Sequence, residues 1–181
     1  MIRHKLSGVG AAMITPFTAD GRIDYEALAS TVDYVIEGGA DYIVALGTTA
    51  ETPTLYMPER AVIAMFISNH IAGRVPLVIG VGGNSTSEVL DQLREFDLRR
   101  ADAILSVTPY YNKPSQEGLY QHFRTVSEHS PVPVILYNIP GRAGVNMSDE
   151  TTLRIARDFG NVIGVKEASG DIAQIQRIID R

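Results

Sequence analysis

The sequence predicts an α/β fold built on a parallel sheet. Six short runs rich in branched and aromatic residues alternate with segments of helical periodicity, and successive runs start 26 to 35 residues apart. That spacing accommodates one strand, one crossover helix and two loops, which is typical of βαβ units. The predicted strands are Val9–Ile14, Tyr42–Leu46, Leu77–Val81, Ala103–Val107, Val134–Tyr137 and Val162–Lys166.

The predicted helices have chemically marked beginnings. An Asp or Ser cap accepts a hydrogen bond from a backbone N–H of the first turn, and proline suits the first turn because it has no N–H to leave unpaired. Ser85 and Glu88 also have the spacing of a capping box, and Gly38-Gly39 ends the first helix. The residues that mark the first five helices are Asp24, Pro58, Ser85, Ser115 and Ser148.

Six βα units are compatible with two geometries, an incomplete eight-stranded barrel and a doubly wound open sheet. A full (β/α)₈ barrel needs about 250 residues, or at least roughly 200, and this sequence has 181. It also stops at Arg181, inside a helical pattern that starts at Ile172. We therefore expect a partial copy of a larger fold, and both geometries stay open on these grounds.

The composition excludes several classes of function. The net charge of −5, the pI near 5.3 and the scattered basic residues argue against a nucleic-acid footprint. The absence of cysteine excludes disulfides, thiolate metal sites and cysteine nucleophiles. No apolar stretch approaches the roughly 20 residues that span a bilayer, and the N-terminus does not resemble a signal peptide. A cytoplasmic protein that acts on small metabolites is the expectation.

Lys166 is the first candidate for chemistry. It ends a predicted apolar strand, and alternation is expected to place it on the same face as Val162 and Gly164, with room beside the glycine. A desolvated lysine has a lowered pKa and can add to a carbonyl to form a Schiff base. The alternative is a solvated lysine at the end of a strand, and this segment alone does not distinguish the two.

Further polar residues follow the other predicted strands. They are expected to converge on the carboxyl edge of the sheet, where they would supply hydrogen-bond donors, a proton relay and an anion clamp. Each has a simpler alternative: strand termination for the threonines, packing for the tyrosines and solvation for the arginine. These residues are Thr48, Thr49, Tyr110, Tyr111, Tyr137 and Arg142.

Two other patterns carry little functional signal. The cluster Gly80, Gly82 and Gly83 does not fit a standard phosphate-binding fingerprint. The histidines have no carboxylate at metal-ligand spacing, so they are interpreted as structural or solvated and no metal site is predicted. The four histidines are His4, His70, His122 and His129.

Four segments resemble a known family, the pyruvate-dependent class I aldolases and lyases, which belong to the N-acetylneuraminate lyase superfamily. Their order and spacing make chance agreement improbable. Within the family they are most similar to the branch that condenses pyruvate with aspartate 4-semialdehyde in lysine (diaminopimelate) biosynthesis. The segments are Gly47-Thr48-Thr49-Ala50-Glu51, Tyr110-Tyr111-Asn112-Lys113-Pro114, Tyr137-Asn138-Ile139-Pro140-Gly141-Arg142 and Gly164-Val165-Lys166-Glu167.

The resemblance implies a role for each catalytic residue. Lys166 would form the imine with pyruvate, so that no metal or organic cofactor is required. Tyr137, Thr48 and Tyr111 would form the proton relay, and Thr49 would hold the pyruvate carboxylate. In the family the residue at Tyr111 reaches into the neighbouring subunit's site, which implies a homodimer or a homotetramer made of two dimers.

The resemblance also implies roles outside the relay. Arg142 would bind the carboxylate of the second substrate, because its planar guanidinium matches that group. Asn84, Glu88 and Tyr110 match positions of a lysine effector site. Ala50 stands where the family has glycine, which raises the question of a positive φ there.

The fold implied is a single TIM-barrel domain over residues 1–181, truncated before strands seven and eight and lacking the family's C-terminal helical region. Two alternatives stay open for the function. One is another pyruvate lyase or aldolase of the same superfamily, of the N-acetylneuraminate or keto-deoxy sugar acid type. The other is a non-catalytic truncated remnant.

Overall fold

The computed structural model describes residues 5–181, so the predictions for His4 and the other residues before Lys5 lie outside it. The chain divides into two compact units. The first consists of the residues up to Gly80 together with Glu95–Ala103, and the second consists of Val81–Arg94 together with Ile104–Arg181. The expectation of a single domain stays a prediction.

The first unit contains three parallel strands and two long helices. Its strands pair in chain order, β1 with β2 and β2 with β3. The apolar sides of the helices are buried, and Leu28 and Ile67 are at most 1% exposed, which stabilises the fold by about 1.5–3 kcal/mol per large side chain. Its elements are β1 (Gly10–Ala12), α1 (Tyr25–Glu37), β2 (Tyr42–Ala45), α2 (Met57–Ile71) and β3 (Leu77–Gly80).

The second unit contains the remaining strands and helices, apart from Glu95 and Ala103, each of which is the terminal residue of an element that otherwise lies in this unit. Its strands are also parallel and pair in chain order, β4 with β5 and β5 with β6. Phe123 and Leu136 are fully buried in its core. The elements are α3 (Thr86–Glu95), β4 (Ala103–Val107), α4 (Gln116–His129), β5 (Val134–Asn138), α5 (Pro140–Ala143), α6 (Asp149–Asp158), β6 (Val162–Glu167) and α7 (Ile172–Ile179).

The helix beginnings follow the chemistry that the sequence predicted. The side chains of Asp24, Ser115 and Ser148 each accept a hydrogen bond from a backbone N–H of the following turn. The second helix begins at Met57, one residue before the predicted Pro58. Helix α5 has only four residues and was not predicted, because one turn has no measurable periodicity.

The strand order distinguishes the two geometries that the sequence left open. A doubly wound sheet reverses its strand order at a switch point, whereas within each unit the order here follows the chain. Helices connect consecutive parallel strands, as in a (β/α)₈ barrel. The prediction of about six βα units of a barrel is therefore confirmed.

Candidate active site

The carboxyl ends of β5 and β6 bring a tyrosine and a lysine together. Tyr137 and Lys166 are paired across the two parallel strands, and paired residues point to the same face of a sheet. The Lys166 Nζ atom lies 4.6 Å from the centroid of the Tyr137 ring, within cation–π range. A Cβ added to Gly164 would meet no atom of residues 5–181 within 4 Å, so this part of the chain leaves open space beside the lysine, as predicted.

A bulge near the start of β6 alters the predicted alternation. The register of β6 against β5 shifts after its first residue, and Ile163 is the extra residue. Val162 is 4% exposed, on the face opposite to Gly164 and Lys166, which are both exposed. The prediction of a shared face is therefore right for Gly164 and wrong for Val162, because a bulge interrupts the two-residue period.

The lysine is not desolvated by residues 5–181. Lys166 is exposed, and among the described residues no carboxylate forms an ion pair with it. Burial was the condition under which the sequence predicted a nucleophilic amine. Residues 5–181 place the amine beside a tyrosine, but they do not bury it.

A polar network lies on the opposite face of the same two strand ends. The Asn138 Nδ2 atom donates to Asn146 Oδ1 at 2.7 Å and to Glu167 Oε2 at 2.9 Å. The Asn138 Oδ1 atom accepts from the Met147 backbone N–H at 2.9 Å. The Gln174 Nε2 atom donates to Glu167 Oε2 at 3.1 Å. Sequence reasoning missed this network, although Asn138 and Glu167 directly follow the two predicted site residues.

The loop after β4 places Tyr111 at the surface. Tyr111 is 84% exposed and has a φ of +73°, and Lys113 has a φ of +52°. Both values are uncommon for residues other than glycine and are concentrated at functional sites. The Tyr111 backbone N–H donates to the Ala143 carbonyl at 3.3 Å, which ties the loop to α5.

Arg142 lies in that short helix. It is exposed, and no carboxylate within residues 5–181 pairs with it. Its backbone N–H donates to the Ile139 carbonyl at 3.0 Å, so the backbone of the residue is fixed while its guanidinium stays available to an anion. The loop that carries Tyr111 and the helix that carries Arg142 are thus joined by a backbone hydrogen bond.

The two threonines belong to the first unit. Thr48 and Thr49 lie in a turn of 3₁₀ helix, Thr48–Ala50, just after β2, and both are exposed. The described residues with positive φ in this segment are Leu46 and Glu51, each at +54°, and Ala50 is not among them. Alanine in place of the family's glycine therefore introduces no backbone strain, because the left-handed positions lie elsewhere.

The three predicted effector residues belong to the second unit. Asn84 is half-buried and precedes α3, whereas Glu88 is exposed in the first turn of that helix. Tyr110 is half-buried and directly precedes the exposed Tyr111.

The described histidines make structural contacts. The His70 Nε2 atom lies 3.0 Å from Asp33 Oδ1, and the His122 Nδ1 atom lies 2.8 Å from Thr86 Oγ1. His122 is 4% exposed, and burial lowers the pKa of its imidazole to about 4. Within residues 5–181, no group of three or more His, Asp or Glu side chains is arranged to hold a metal ion.

A cavity of about 640 Å³ in the first unit is lined by the end of α2, by the amino end of β3 and by Asp102. Its charged lining residues bond to groups of the protein. Lys5 pairs with Asp102 at 3.2 Å, and Arg74 bonds to Asp33 at 2.7 Å and to a carbonyl at the end of α2. None of the helices in the described part of the chain has the length and apolarity that a bilayer crossing requires.

Comparisons with known proteins agree with this arrangement. A family model described as the dihydrodipicolinate synthetase family matches residues 5–181. A 4-hydroxy-tetrahydrodipicolinate synthase of Parabacteroides distasonis is 56% identical over 174 residues, which cover 96% of this chain and 59% of that protein.

Solved structures show the same similarity. One is a chloride-inhibited dihydrodipicolinate synthase from Acinetobacter baumannii complexed with pyruvate, with a TM-score of 0.91 at 43% identity over 96% of this chain and 59% of that one. Another is the enzyme of Cyanidioschyzon merolae with lysine bound, with a TM-score of 0.91 at 38% identity over 95% of this chain and 59% of that one.

The parallel βα units define a protein of the (β/α)-barrel class, and the lysine beside a tyrosine at adjacent strand ends is its candidate site. With the family model matching nearly the whole chain, the family is clear. The chain belongs to the dihydrodipicolinate synthetase family. It spans 59% of the length of the relatives named above.

Proposed function

We propose that this chain contributes the Schiff-base site of a lyase, 4-hydroxy-tetrahydrodipicolinate synthase, which condenses pyruvate with aspartate 4-semialdehyde in lysine (diaminopimelate) biosynthesis in the cytoplasm. The observation that carries the proposal is the 4.6 Å distance between Lys166 Nζ and the Tyr137 ring. The names of the relatives support the reaction, and the pyruvate complex of the Acinetobacter baumannii enzyme supports the first substrate.

The proposed chemistry begins with the neutral amine of Lys166. It adds to the keto carbon of pyruvate, and loss of water leaves an iminium ion that acidifies the neighbouring methyl group. Removal of a methyl proton gives an enamine, whose carbon forms a bond to the aldehyde carbon of the semialdehyde. Tyr137 acts as acid and base, with Thr48 and Tyr111 completing the relay. The imine is covalent, so no cofactor takes part.

Binding of the two carboxylates is assigned to separate residues. Thr49 holds the carboxylate of pyruvate. Arg142 holds the carboxylate of the semialdehyde, and its support is the exposed guanidinium that pairs with no carboxylate within residues 5–181. A charge-assisted pair of this kind is stronger than a neutral hydrogen bond.

The exposure of Tyr111 supports a proposal about assembly. A tyrosine that is 84% exposed at a strained φ is available to contact another copy of the chain. We propose that it completes the site of a neighbouring subunit in a homodimer, or in a homotetramer made of two dimers.

A lysine effector site is proposed at Asn84, Glu88 and Tyr110. Its support is the lysine bound to the related Cyanidioschyzon merolae enzyme and the accessible carboxylate of Glu88, which could pair with an amino group. Feedback inhibition by lysine is the consequence to test.

One observation favours the alternative of a non-catalytic remnant for residues 1–181 taken alone. Lys166 is exposed, so residues 5–181 do not shield its amine from water. We expect desolvation only at the full length of the relatives, where additional segments can cover this face. The 181-residue chain is therefore expected to react slowly with pyruvate.

Trapping with borohydride tests the proposal sharply, because the sequence contains only three lysines, Lys5, Lys113 and Lys166. Incubation of a chain of the relatives' length with pyruvate and borohydride should give one stable adduct, on the peptide that contains Lys166. The Lys166→Ala variant should lose it. Lys113→Ala is the matched control, since it removes another exposed lysine of the same unit and should leave the adduct intact. An adduct on any other lysine would refute the assignment.

A further inference from the structure

The register of β6 against β5 is supported from the face opposite to Lys166. Asn138 directly follows Tyr137, Glu167 directly follows Lys166, and Asn138 is paired with Glu167. The Asn138 Nδ2 atom lies 2.9 Å from Glu167 Oε2 and 3.1 Å from Oε1. Neighbouring residues of a strand point to opposite faces, so this contact behind the sheet aligns the two residues in front of it.

The groups in the contact have fixed orientations. The Asn138 Oδ1 atom accepts from the Met147 backbone N–H, which turns Nδ2 towards Glu167. The Glu167 Oε1 atom also accepts from the Ser169 backbone N–H at 2.8 Å, and Gln174 donates to Oε2. Asn138 is fully buried, so losing Glu167 removes a hydrogen bond from an amide that water cannot reach. The contact is therefore a specific constraint and not an interchangeable surface pair.

The bulge at Ile163 determines which residue of β6 lies opposite Tyr137. If the register of the first pair of β5 and β6 continued without the bulge, Val165 would lie opposite Tyr137 and Lys166 would lie opposite Asn138. A slip of one residue moves a side chain to the other face of a sheet. The amine would then point away from the Tyr137 ring. The bulged register is the one that allows Asn138 to meet Glu167.

We propose that Asn138 and Glu167 are positioning residues that hold the bulged register and thereby place the Lys166 amine beside Tyr137. The inference rests on the proposed function, in which Lys166 forms the imine. Neither residue touches the reacting atoms, since both lie on the other face of the sheet.

The test compares single variants with a reciprocal exchange in a chain of the relatives' length. Asn138→Asp removes the donor amide and places two carboxylates side by side. Glu167→Gln replaces the accepting carboxylate with an amide, whose N–H groups face the donors that surround it. A misplacement of about 1 Å can cost on the order of 100-fold in rate, so each single variant should lower the rate of imine formation about 10- to 100-fold. The double variant exchanges donor and acceptor across the same pair, and it should recover at least about fivefold over either single variant.

The matched control is Asn161→Asp. Asn161 is another carboxamide at the edge of β6, where its Nδ2 donates to the Ser127 carbonyl at 2.7 Å, but it lies at the amino end of the strand. Its replacement should lower thermal stability without changing the rate of imine formation per folded molecule. An equal loss of rate in this variant would show that general destabilisation, and not register, explains the effect.

A readout that is independent of the reaction uses the absence of cysteine from the sequence. The cysteine pair at 137 and 166 in a Tyr137→Cys/Lys166→Cys variant should be joined by a short bifunctional thiol reagent, whereas the pair in a Tyr137→Cys/Val165→Cys variant should not. Adding Glu167→Gln should reduce the first cross-link and increase the second. Unchanged cross-links together with an unchanged rate of imine formation would overturn the positioning proposal. If the cysteine pair at 137 and 166 cross-links as expected but the wild-type chain gives no pyruvate adduct, the proposed function is refuted instead.

Discussion

The buried imidazole of His122 makes the stability of the chain depend on pH. His122 is 4% exposed, its Nδ1 atom is bonded to Thr86, and its Nε2 atom is buried without a hydrogen-bond partner in the described part of the chain. Burial lowers the pKa of the imidazole from 6.5 to about 4, because the folded protein desolvates the charged form. The unfolded chain therefore takes up a proton at a higher pH than the folded chain does.

The magnitude follows from the two pKa values. The loss of stability begins near pH 6.5, the pKa of His122 in the unfolded chain. It grows progressively as the pH falls towards about 4, the pKa in the folded chain. At 1.36 kcal/mol per pH unit, the free energy of unfolding should fall by about 3 kcal/mol over this interval. The pKa values of the carboxyl groups of Asp33 and Asp97 are lowered from 3.8 by hydrogen bonds from Arg74 and Arg99, so their effects begin at lower pH.

Urea titrations at half-unit steps between pH 7 and pH 4 measure this dependence. His122→Asn keeps an acceptor near the Nδ1 position but cannot be protonated, so its stability should be lower at pH 7 and change little with pH. His129→Asn is the control, because His129 is exposed on the same helix and its replacement should leave the wild-type slope intact. If His122→Asn retains the wild-type slope, the buried imidazole is not its source.

Three further predictions concern the candidate site, each in a chain of the relatives' length. Arg142→Ala should leave the pyruvate adduct intact and lower the specificity constant for the semialdehyde about 30-fold or more in steady-state kinetics, with Arg142→Lys recovering only part of it. An unchanged constant would favour a different pyruvate lyase. Gly164→Val should fold normally by circular dichroism, since no atom of residues 5–181 lies within 4 Å of the new Cβ, yet it should slow trapping of pyruvate at Lys166. Normal trapping would show that this space is not used. Ala50→Gly should lower the free energy of unfolding by about 0.5–1 kcal/mol, because Ala50 is buried and needs no positive φ. An increase in denaturant unfolding experiments would contradict that reading.

Much of the fold could be predicted because it depends on local patterns. The runs at Tyr42 and Ala103 became strands that begin at the predicted residues, and Asp24, Ser115 and Ser148 cap helices as their side-chain chemistry requires. Helix α5 could not be predicted, because a single turn has no periodicity to detect. Several observed strand boundaries differ from the predicted ones by one or two residues, since the point at which backbone pairing ends depends on the partner strand.

By itself, the sequence determined the succession of six βα units, the placement of Lys166 and Tyr137 at strand ends, and the motifs of the family. These features depend on residue type and spacing along the chain. Only the tertiary structure decided that a bulge at Ile163 sets Lys166 opposite Tyr137, that Asn138 and Glu167 meet behind them, and that Lys166 is exposed within residues 5–181. Register and burial depend on neighbours that are distant in the sequence, so the pattern of a single strand cannot reveal them.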